Sequence, residues 1–377
     1  MRIAVDVSPL APPRTGVGNF VHALLRRLAP LAKAHEVCAL STGMRPVETR
    51  DVRGLAGARH VRIPTRLMYR VWLTAERPCA DALAGGADVY HATNYFLPPV
   101  KHAARVLSIY DLAFMKAPHL ASPKVVGPFA RNMARFTRDA DAILVCSDAT
   151  RQDVCESLDV PEEKVTVAYG AVEDGFTPME RDRARTFVKK HYGLDTPFLL
   201  YVGTIEPRKN VAGLLDAFAL AAGGLPHSLV LAGGAGWERQ DLAARTQERG
   251  LEKRVRFLGY LPDRRHLPAL YSAADAFVLP SFYEGFGLPV LEAMHCGCPA
   301  IVSDRASLPE VAGEAGCYVN PDDIRSIADA MLRVAGDEAL RENMRSRGLT
   351  QAARFSWDRC AAETLAVYEK VCHARAD

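Results

Sequence analysis

The sequence predicts an α/β protein with two doubly wound domains, each built on a parallel sheet. Strand-like and helix-like segments alternate along the whole chain, which is the pattern of a parallel sheet covered by helices. The 377 residues are enough for about two domains of ordinary size. Each half begins with a strand, a glycine-containing turn and an amphipathic helix. In such sheets, ligands bind beyond the carboxyl ends of the strands.

The elements can be placed in order. In the first half, Phe20, Leu24 and Leu28 share one face of a helix predicted over residues 17–29. Strands are predicted there at residues 3–7, 36–40, 60–63, 89–92, 106–110, 143–146 and 165–168. In the second half, a helix is predicted to begin with Asn210 as its cap. Its strands are predicted at residues 198–203, 228–232, 254–258, 276–279, 300–303 and 316–319.

A charged segment in the middle of the chain sets the domain limits. Residues 177–196 contain few β-branched residues and are bounded by Pro178 and Pro197, which predicts a connection that includes one helix. We therefore predict a first domain at residues 1–176, a second at residues 190–356, and a last helix within residues 357–377.

Composition excludes several classes of protein. Hydrophobic residues make up 49% and charged residues 24%, as in ordinary folded proteins. No apolar run reaches the roughly 18 residues of a membrane-spanning helix. Asp6 interrupts the segment that a signal peptide would keep apolar, so we expect a cytoplasmic protein with reduced cysteines. Cys296 and Cys298 lack a second Cys or His pair at zinc spacing, which argues against a metal site.

The net charge of +3 conceals an asymmetry between the two ends of the chain. Residues 1–138 carry 20 Lys and Arg against 8 Asp and Glu, a net charge of +12, and the rest of the chain carries −9. A basic region attracts a membrane surface, a phosphorylated substrate or nucleic acid. No nucleic-acid-binding motif is present, so we predict no nucleic-acid partner.

The strongest motif runs from Pro280 to Met294 and includes the letters EGFGLPVLE. Glycines let the backbone approach a ligand, Pro289 suits the first turn of a helix, and the free amides at a helix start attract phosphate. Glu284 precedes this helix and Glu292 lies one turn inside it, so two carboxylates flank a phosphate site. The alternative is a capping carboxylate followed by an ordinary helical glutamate.

A second motif, Gly-Thr-Ile-Glu-Pro-Arg-Lys-Asn, spans residues 203–210. It places Arg208 and Lys209 after a strand, at the sheet edge where phosphate groups bind. Arginine offers a planar fork for phosphate oxygens and lysine a mobile charge. The alternative is a solvated pair of cations. A third motif, with Gly16 and Gly18 after the first strand, is equally compatible with a phosphate loop and with a tight turn.

In this order and separation, the three motifs resemble those of the family-4 retaining glycosyltransferases of the GT-B fold. The resemblance covers essentially the whole chain, and its most specific element is the Glu-x7-Glu pair. The stretch over residues 203–210 is similar to a bacterial branch, rich in mannosyltransferases, that builds O-antigen, capsule and exopolysaccharide. The resemblance implies two Rossmann-like domains facing across a cleft, with the last helix packed on the first domain.

The resemblance also implies roles for individual residues. Arg208 and Lys209 would neutralise the donor diphosphate, Glu284 would bind donor-sugar hydroxyls, and Glu292 would hold the ribose. The remaining donor-binding positions that it implies are Gly16, Gly18, Gly203, Thr204, Tyr260, Leu261, Phe286, Gly287 and Leu288. The donor would be a nucleotide-diphosphate sugar, with GDP-mannose preferred. The acceptor would be a glycan or an isoprenoid-diphosphate-linked oligosaccharide.

One position departs from the family pattern. Many relatives carry a histidine after the fifth strand, where this chain has Tyr110 followed by Asp111. Tyrosine donates a hydrogen bond but does not become a cation. His91, at the end of the fourth strand, is an alternative candidate near the reacting carbon, although a lone histidine there is more often a packed or acceptor-side residue.

No metal or other cofactor is implied. Asp139 and Asp141 match the Asp-x-Asp of metal-dependent transferases, but they precede a strand and are interpreted as a helix end. Arg208, Lys209 and helix amides would supply the charge that a cation provides elsewhere. Two alternatives stay open: a GT-B sugar-nucleotide hydrolase or epimerase, and a catalytically silent sugar-nucleotide-binding subunit. A dehydrogenase is disfavoured by the lack of a Gly-x-Gly-x-x-Gly motif.

An arginine-rich segment over residues 62–77 predicts contact with a membrane surface. If it is helical, Arg66 and Arg70 share one side, and Leu67, Val71 and Trp72 lie on the neighbouring side. That composition is typical of an interfacial helix on anionic lipid. The alternative is a helix packed on the first domain with solvated arginines. We predict a peripheral protein on the inner membrane leaflet.

Overall fold

A computed structural model describes residues 1–12, 14–121, 123–236 and 241–375, without the side chains of residues 123–129. The chain divides into two units. The first comprises Met1–Leu112, Lys124–Gly170 and Ser356–Asp377, and the second comprises Ala113–Pro123 and Ala171–Phe355. The helix over residues 181–192 joins the second unit because it packs there, so this unit begins earlier than residue 190.

The first unit is built on a seven-stranded parallel sheet with the order β3-β2-β1-β4-β5-β6-β7. Its strands are β1 (Arg2–Asp6), β2 (Glu36–Thr42), β3 (Leu55–Val61), β4 (Val89–Ala92), β5 (Ala104–Ile109), β6 (Ala142–Val145) and β7 (Val165–Val167). The helices of this half are α1 (Gly16–Leu31), α2 (Thr65–Ala75), α3 (Ala80–Leu83), α4 (Ala113–Lys116), α5 (Pro123–Asp139) and α6 (Asp148–Leu158). Of these, α4 is grouped with the second unit.

The second unit is built on a six-stranded parallel sheet with the order β10-β9-β8-β11-β12-β13. Its strands are β8 (Phe198–Val202), β9 (Ser228–Ala232), β10 (Val255–Gly259), β11 (Ala276–Leu279), β12 (Ala300–Ser303) and β13 (Gly316–Val319). Its helices are α7 (Arg181–Tyr192), α8 (Val211–Ala221), α9 (Leu242–Glu248), α10 (Leu267–Ala273), α11 (Leu288–His295), α12 (Leu308–Ala312), α13 (Ile324–Gly336) and α14 (Glu338–Ala352).

The last helix, α15 (Trp357–His373), belongs to the first unit, where it packs against α1. The ring of Phe20 on α1 meets that of Trp357 edge to face, with centroids 4.9 Å apart. No helix in the described ranges is both long and apolar enough to pass through a bilayer.

The central strands were predictable because they are apolar throughout. Every residue of β4, β6, β11 and β12 is buried, as expected for a parallel sheet covered on both faces. The strand predicted at residues 60–63 is wrong: β3 runs from Leu55 to Val61. It is an edge strand with an exposed centre, so no apolar pattern marks it. The interpretation of Asp139 as a helix end is confirmed by α5.

Helix α2 exposes Arg66, Leu67 and Arg70 to solvent, and Leu67 is 50% exposed. The placement of Trp72 with Leu67 and Val71 on the side that would face a lipid surface is wrong. Trp72 is buried with Met68, and its Nε1 donates a 2.7 Å hydrogen bond to the Pro78 carbonyl. Residues 68 and 72 are one helical turn apart, so they form the face that packs on the first unit.

Candidate active site

The candidate site of the second unit lies where the order of strands in its sheet reverses, between β8 and β11. From β8 the chain proceeds to β9 and β10 on one side, and from β11 to β12 and β13 on the other. At such a switch point the connections after the two central strands diverge and leave a crevice at the strand ends. The loop after β8 carries Arg208 and Lys209, and the loop after β11 carries Glu284. The topology therefore brings the two strongest sequence motifs together.

Lys209 and Arg208 lie in a short 3-10 turn, Pro207–Lys209, ahead of α8. Lys209 is only 8% exposed. Asn210 is the N-cap residue of α8, as predicted, but it is in the left-handed region at φ 54° and its side chain makes no cap hydrogen bond. Its Nδ2 instead donates to the Pro321 carbonyl at 2.8 Å, which ties the turn to the loop after β13.

Glu284 is the centre of a buried charge cluster. Its Oε1 accepts hydrogen bonds from Lys209 Nζ and Ser281 Oγ, each at 2.9 Å, and its Oε2 accepts one from Arg208 at 2.9 Å. Burial alone raises the pKa of Glu284, but the two cations and these hydrogen bonds lower it to about 2. The carboxylate therefore stays ionised at neutral pH.

Both terminal nitrogens of the Arg208 guanidinium donate hydrogen bonds. Besides Glu284, its Nη1 donates to the Tyr283 carbonyl at 2.7 Å, and its Nη2 donates to Glu206 at 2.8 Å. The Phe282 amide in turn donates to the Arg208 carbonyl at 2.9 Å. These bonds join the loops after β8 and β11 into one charged surface and hold its side chains in fixed positions.

The backbone of the loop before α11 is shaped by glycine and serine. Gly287 sits at φ 104°, where other residues are strained, and a Cβ there would lie 2.7 Å from Leu308 Cδ2. Ser307 Oγ donates to the carbonyls of Glu284 and Phe286 at 2.8 and 2.9 Å. The Phe286 side chain is buried, and Leu288 is the first residue of α11.

Glu292 lies in a second buried polar cluster on α11. It accepts hydrogen bonds from Arg264 Nη2 at 2.6 Å and from Tyr271 Oη at 3.0 Å. Burial raises the pKa of Glu292, and Arg264 opposes that shift. Both carboxylate oxygens are thus engaged within the protein, which the sequence motif did not indicate.

The other predicted donor positions of the second unit lie in the segments after β8 and β10. Gly203 approaches the Lys209 side chain so closely that a Cβ would lie 3.4 Å from Nζ. Thr204 is exposed, and its carbonyl accepts a 2.9 Å hydrogen bond from Tyr201. Tyr260, in the turn after β10, is 65% exposed, and Leu261 beside it is half-buried.

In the first unit, Gly16 begins α1 and Gly18 lies in its first turn. A Cβ on Gly18 would lie 2.4 Å from the Pro9 carbonyl oxygen, so the packing of this turn alone requires a glycine there. Tyr110 is half-buried between the rings of Phe20 and Tyr95, at centroid distances of 5.2 and 5.9 Å. The amide of Asp111, two residues after β5, donates to Tyr95 Oη at 3.1 Å.

The structure contradicts the placement of His91 near a reacting carbon. His91 is fully buried, with Nε2 hydrogen-bonded to Ser108 at 2.7 Å and Nδ1 to Tyr368 at 2.6 Å. Burial lowers its pKa to about 3. His91 is therefore a neutral core residue that joins β4, β5 and α15.

This burial predicts an acid-sensitive fold. The unfolded imidazole binds a proton below about pH 6.5 and the folded one only near pH 3. The contribution of His91 to the free energy of unfolding is therefore complete above about pH 6.5, and it falls by about 1.4 kcal/mol per pH unit below that. Urea unfolding of the wild type and of His91→Gln, compared between pH 7 and pH 5, measures this term. Parallel pH profiles of the two proteins would contradict the assignment.

Sequence reasoning did not identify Glu206, Ser281, Arg264 and Tyr271. Each binds a motif carboxylate or cation. Glu206 and Ser281 lie two and three residues from their partners, whereas Arg264 and Tyr271 lie 28 and 21 residues from Glu292. Among the described residues, no group of three or more His, Cys, Asp or Glu side chains is arranged to hold a metal ion.

Comparison with known proteins agrees with this organisation. Residues 14–175 match the profile described as Glycosyltransferase Family 4, and residues 182–351 match that of Glycosyl transferases group 1. Over 98% of its length the chain is 34% identical to O-antigen chain mannosyltransferase B of Escherichia coli, and the match covers 100% of that protein.

Two solved structures share the fold. Sucrose-phosphate synthase from Thermosynechococcus elongatus superposes with a TM-score of 0.79 at 23% identity, covering 99% of this chain and 100% of that one. Anabaena HepE in complex with UDP-glucose superposes with a TM-score of 0.72 at 18% identity, covering 97% and 100%. The chain therefore belongs to the glycosyltransferases, with a family 4 first domain and a group 1 second domain on the GT-B fold.

Proposed function

We propose that this glycosyltransferase moves mannose from GDP-mannose to a glycan or an isoprenoid-diphosphate-linked oligosaccharide, with retention at the anomeric carbon. The product would be part of an O-antigen, capsule or exopolysaccharide. The observation that carries the proposal is the buried cluster of Arg208, Lys209 and Glu284 at the switch point. The relative at 34% identity, an O-antigen chain mannosyltransferase, supports the choice of sugar and pathway.

The cluster suits the charge changes of such a reaction. When the glycosidic bond of the donor breaks, the departing diphosphate gains negative charge. Arg208 and Lys209 are already oriented by Glu284 and Glu206, so they stabilise that charge without reorganising. The ionised Glu284 is suited to accept hydrogen bonds from donor-sugar hydroxyls. Binding that strengthens as the diphosphate departs accelerates the reaction rather than merely retaining the donor.

We also propose that the reaction needs no metal ion or other cofactor. A divalent cation in other transferases offsets the charge of the leaving diphosphate. Two side-chain cations and the amides at the start of α11 supply that charge here.

The donor proposal is tested by a thermal-shift panel of GDP-, UDP- and ADP-sugars. A ligand that binds only the native state raises the melting temperature. We expect GDP-mannose to give the largest shift at equal concentration. Stabilisation by UDP-sugars alone would exclude GDP-mannose as donor, and it would leave the transfer reaction itself in place.

We propose that the first unit docks on the anionic inner leaflet and receives the acceptor there. Helix α2 and its flanks expose four arginines, and Leu67 beside them is half-exposed. The four residues are Arg62, Arg66, Arg70 and Arg77. Because Trp72 is buried in the first unit, attraction to the membrane would depend on the charge of the arginines more than on insertion of apolar side chains into the lipid. Each basic residue near such a surface contributes about 1 kcal/mol, which salt screens.

Co-sedimentation with anionic vesicles tests the docking proposal. We expect binding at low salt that falls with added salt and with the double charge reversal Arg66→Glu and Arg70→Glu. The matched control is Lys189→Glu with Lys190→Glu, which changes the net charge equally at exposed positions of the second unit. Equal partitioning onto neutral and anionic vesicles, or none at low salt, would contradict it.

A further inference from the structure

Arg264 is hydrogen-bonded to Glu292 on α11, and part of its guanidinium group remains exposed to solvent. Its Nη2 donates to the buried Glu292 at 2.6 Å, and its guanidinium carbon lies 5.6 Å from the ring centroid of Phe176. The side chain is nevertheless 41% exposed, whereas that of Glu292 is 6% exposed. Glu292 and the Phe176 ring fix the plane of the Arg264 guanidinium. The edge of the guanidinium that points away from Glu292 faces solvent.

The position of the Arg264 side chain is unfavourable for one of its nitrogen atoms. Arg264 Nε is buried and, among the described residues, has no hydrogen-bond partner. A buried donor without a partner is unfavourable and calls for an explanation in a folded protein. A lysine at this position would neutralise Glu292 without that cost, because its ammonium group has no donor along the stem. The charge of Arg264 alone therefore does not account for an arginine at this position, and we look for a function of its planar guanidinium group.

The position of the fork points to the nucleoside. Arg264 lies in a 3-10 turn that follows β10, so it belongs to the same carboxyl edge of the sheet as the phosphate-binding motifs. Glu292, its anchor, is the fifth residue of the helix that begins at Leu288. At about 1.5 Å per residue, that places the anchor roughly 6 Å along the helix from its anion-binding start. A nucleoside attached to a diphosphate at that start spans such a distance.

We propose that Arg264 reads the donor base by donating two hydrogen bonds to O6 and N7 of guanine. This rests on the proposed function, since it assumes a nucleotide-diphosphate donor in the second unit. Guanine presents two adjacent acceptors that match the arginine fork. Adenine replaces one of them with an amino donor. Uracil has two carbonyls, but they flank the N3–H donor, so it offers no pair of adjacent acceptors. The residue thus provides a physical reason for the choice of a GDP-sugar.

Titration calorimetry with GDP, 7-deaza-GDP and UDP tests the assignment, because 7-deaza-GDP differs from GDP only in lacking the N7 acceptor. The wild type is expected to bind GDP about tenfold more tightly than 7-deaza-GDP. Arg264→Lys keeps the charge beside Glu292 but replaces the planar fork with a flexible point charge, so its preference for GDP over 7-deaza-GDP should shrink toward equal binding. The matched control is Arg265→Lys, in the same turn, which exchanges an exposed side chain paired with Asp263.

The outcomes separate this inference from the proposed function. Equal binding of GDP and 7-deaza-GDP by the wild type would overturn the role of Arg264 and leave GDP-sugar transfer intact. Loss of affinity for all three nucleotides in Arg264→Lys, with the N7 preference retained, would assign Arg264 to the support of Glu292 only. Failure of the wild type to bind any nucleoside diphosphate would overturn both. Preference for UDP would overturn the role of Arg264 and the choice of GDP-mannose.

Discussion

Replacement of Lys209 by methionine is expected to lower the turnover of hexosyl transfer by about 10²–10³, the usual effect of removing one group that stabilises transition-state charge. Methionine keeps the length and volume of the buried stem and removes the ammonium that faces Glu284. Because that charge acts most strongly on the departing diphosphate, kcat should fall far more than donor affinity. Turnover and the KM for the donor, measured with one acceptor, separate the two effects.

The matched control is Lys253→Met, which removes an exposed lysine from the same unit. It should leave turnover unchanged. Glu284→Gln, which removes the carboxylate and keeps its shape, should lower turnover on the same scale as Lys209→Met. If Lys209→Met and Glu284→Gln both retained near-native transfer rates, the site would have been assigned to the wrong residues.

Replacement of Gly233 by alanine should have the largest effect on stability. A Cβ there would lie 1.8 Å from the backbone oxygen of Gly203, so two backbone segments would have to separate. The Gly203 amide donates to Ala232 and the Gly233 amide to Gly259, so the separation disrupts the ends of three strands. We expect the free energy of unfolding to fall by about 3 kcal/mol, the upper end of overpacking costs.

Urea unfolding measures this effect against Gly223→Ala. Gly223 lies in the same unit, and a methyl group added to its Cα would meet no neighbouring atom within 4 Å, so its change should stay within about 0.5 kcal/mol. Since Gly203 precedes the loop that carries Arg208, loss of turnover should accompany the loss of stability. Equal denaturation midpoints for the two variants would contradict the close approach of the two strand ends.

The architecture was predictable because parallel strands covered on both faces are apolar throughout. Residues 89–92, 276–279 and 300–303 were placed with their observed bounds for this reason. The edge strand β3 was misplaced because its exposed centre contains Gly57 and Arg59 and follows no periodic pattern. The left-handed conformation of Asn210 was missed because a local sequence does not distinguish a side-chain cap from a tie to a distant carbonyl.

The site was predictable to the extent that it is local. Arg208, Lys209 and Glu284 were identified from short motifs, because glycine, proline and charge at fixed spacing carry the signal. Their mutual hydrogen bonds join residues about 75 positions apart, and only the fold brings them together. His91 was a candidate near the reacting carbon because of its place at a strand end. Its burial depends on Tyr368, 277 residues further along the chain, which no local pattern reveals.

The central claim is transfer by the cluster at the switch point of the second unit. The most direct test incubates the protein with anomerically labelled GDP-mannose and a glycan on an isoprenoid diphosphate, and determines the product by NMR. We predict an acceptor-dependent mannoside with the α configuration of the donor, formed by the wild type and about 10²–10³ more slowly by Lys209→Met. Release of free mannose independent of the acceptor, or a product of inverted configuration, would contradict the account.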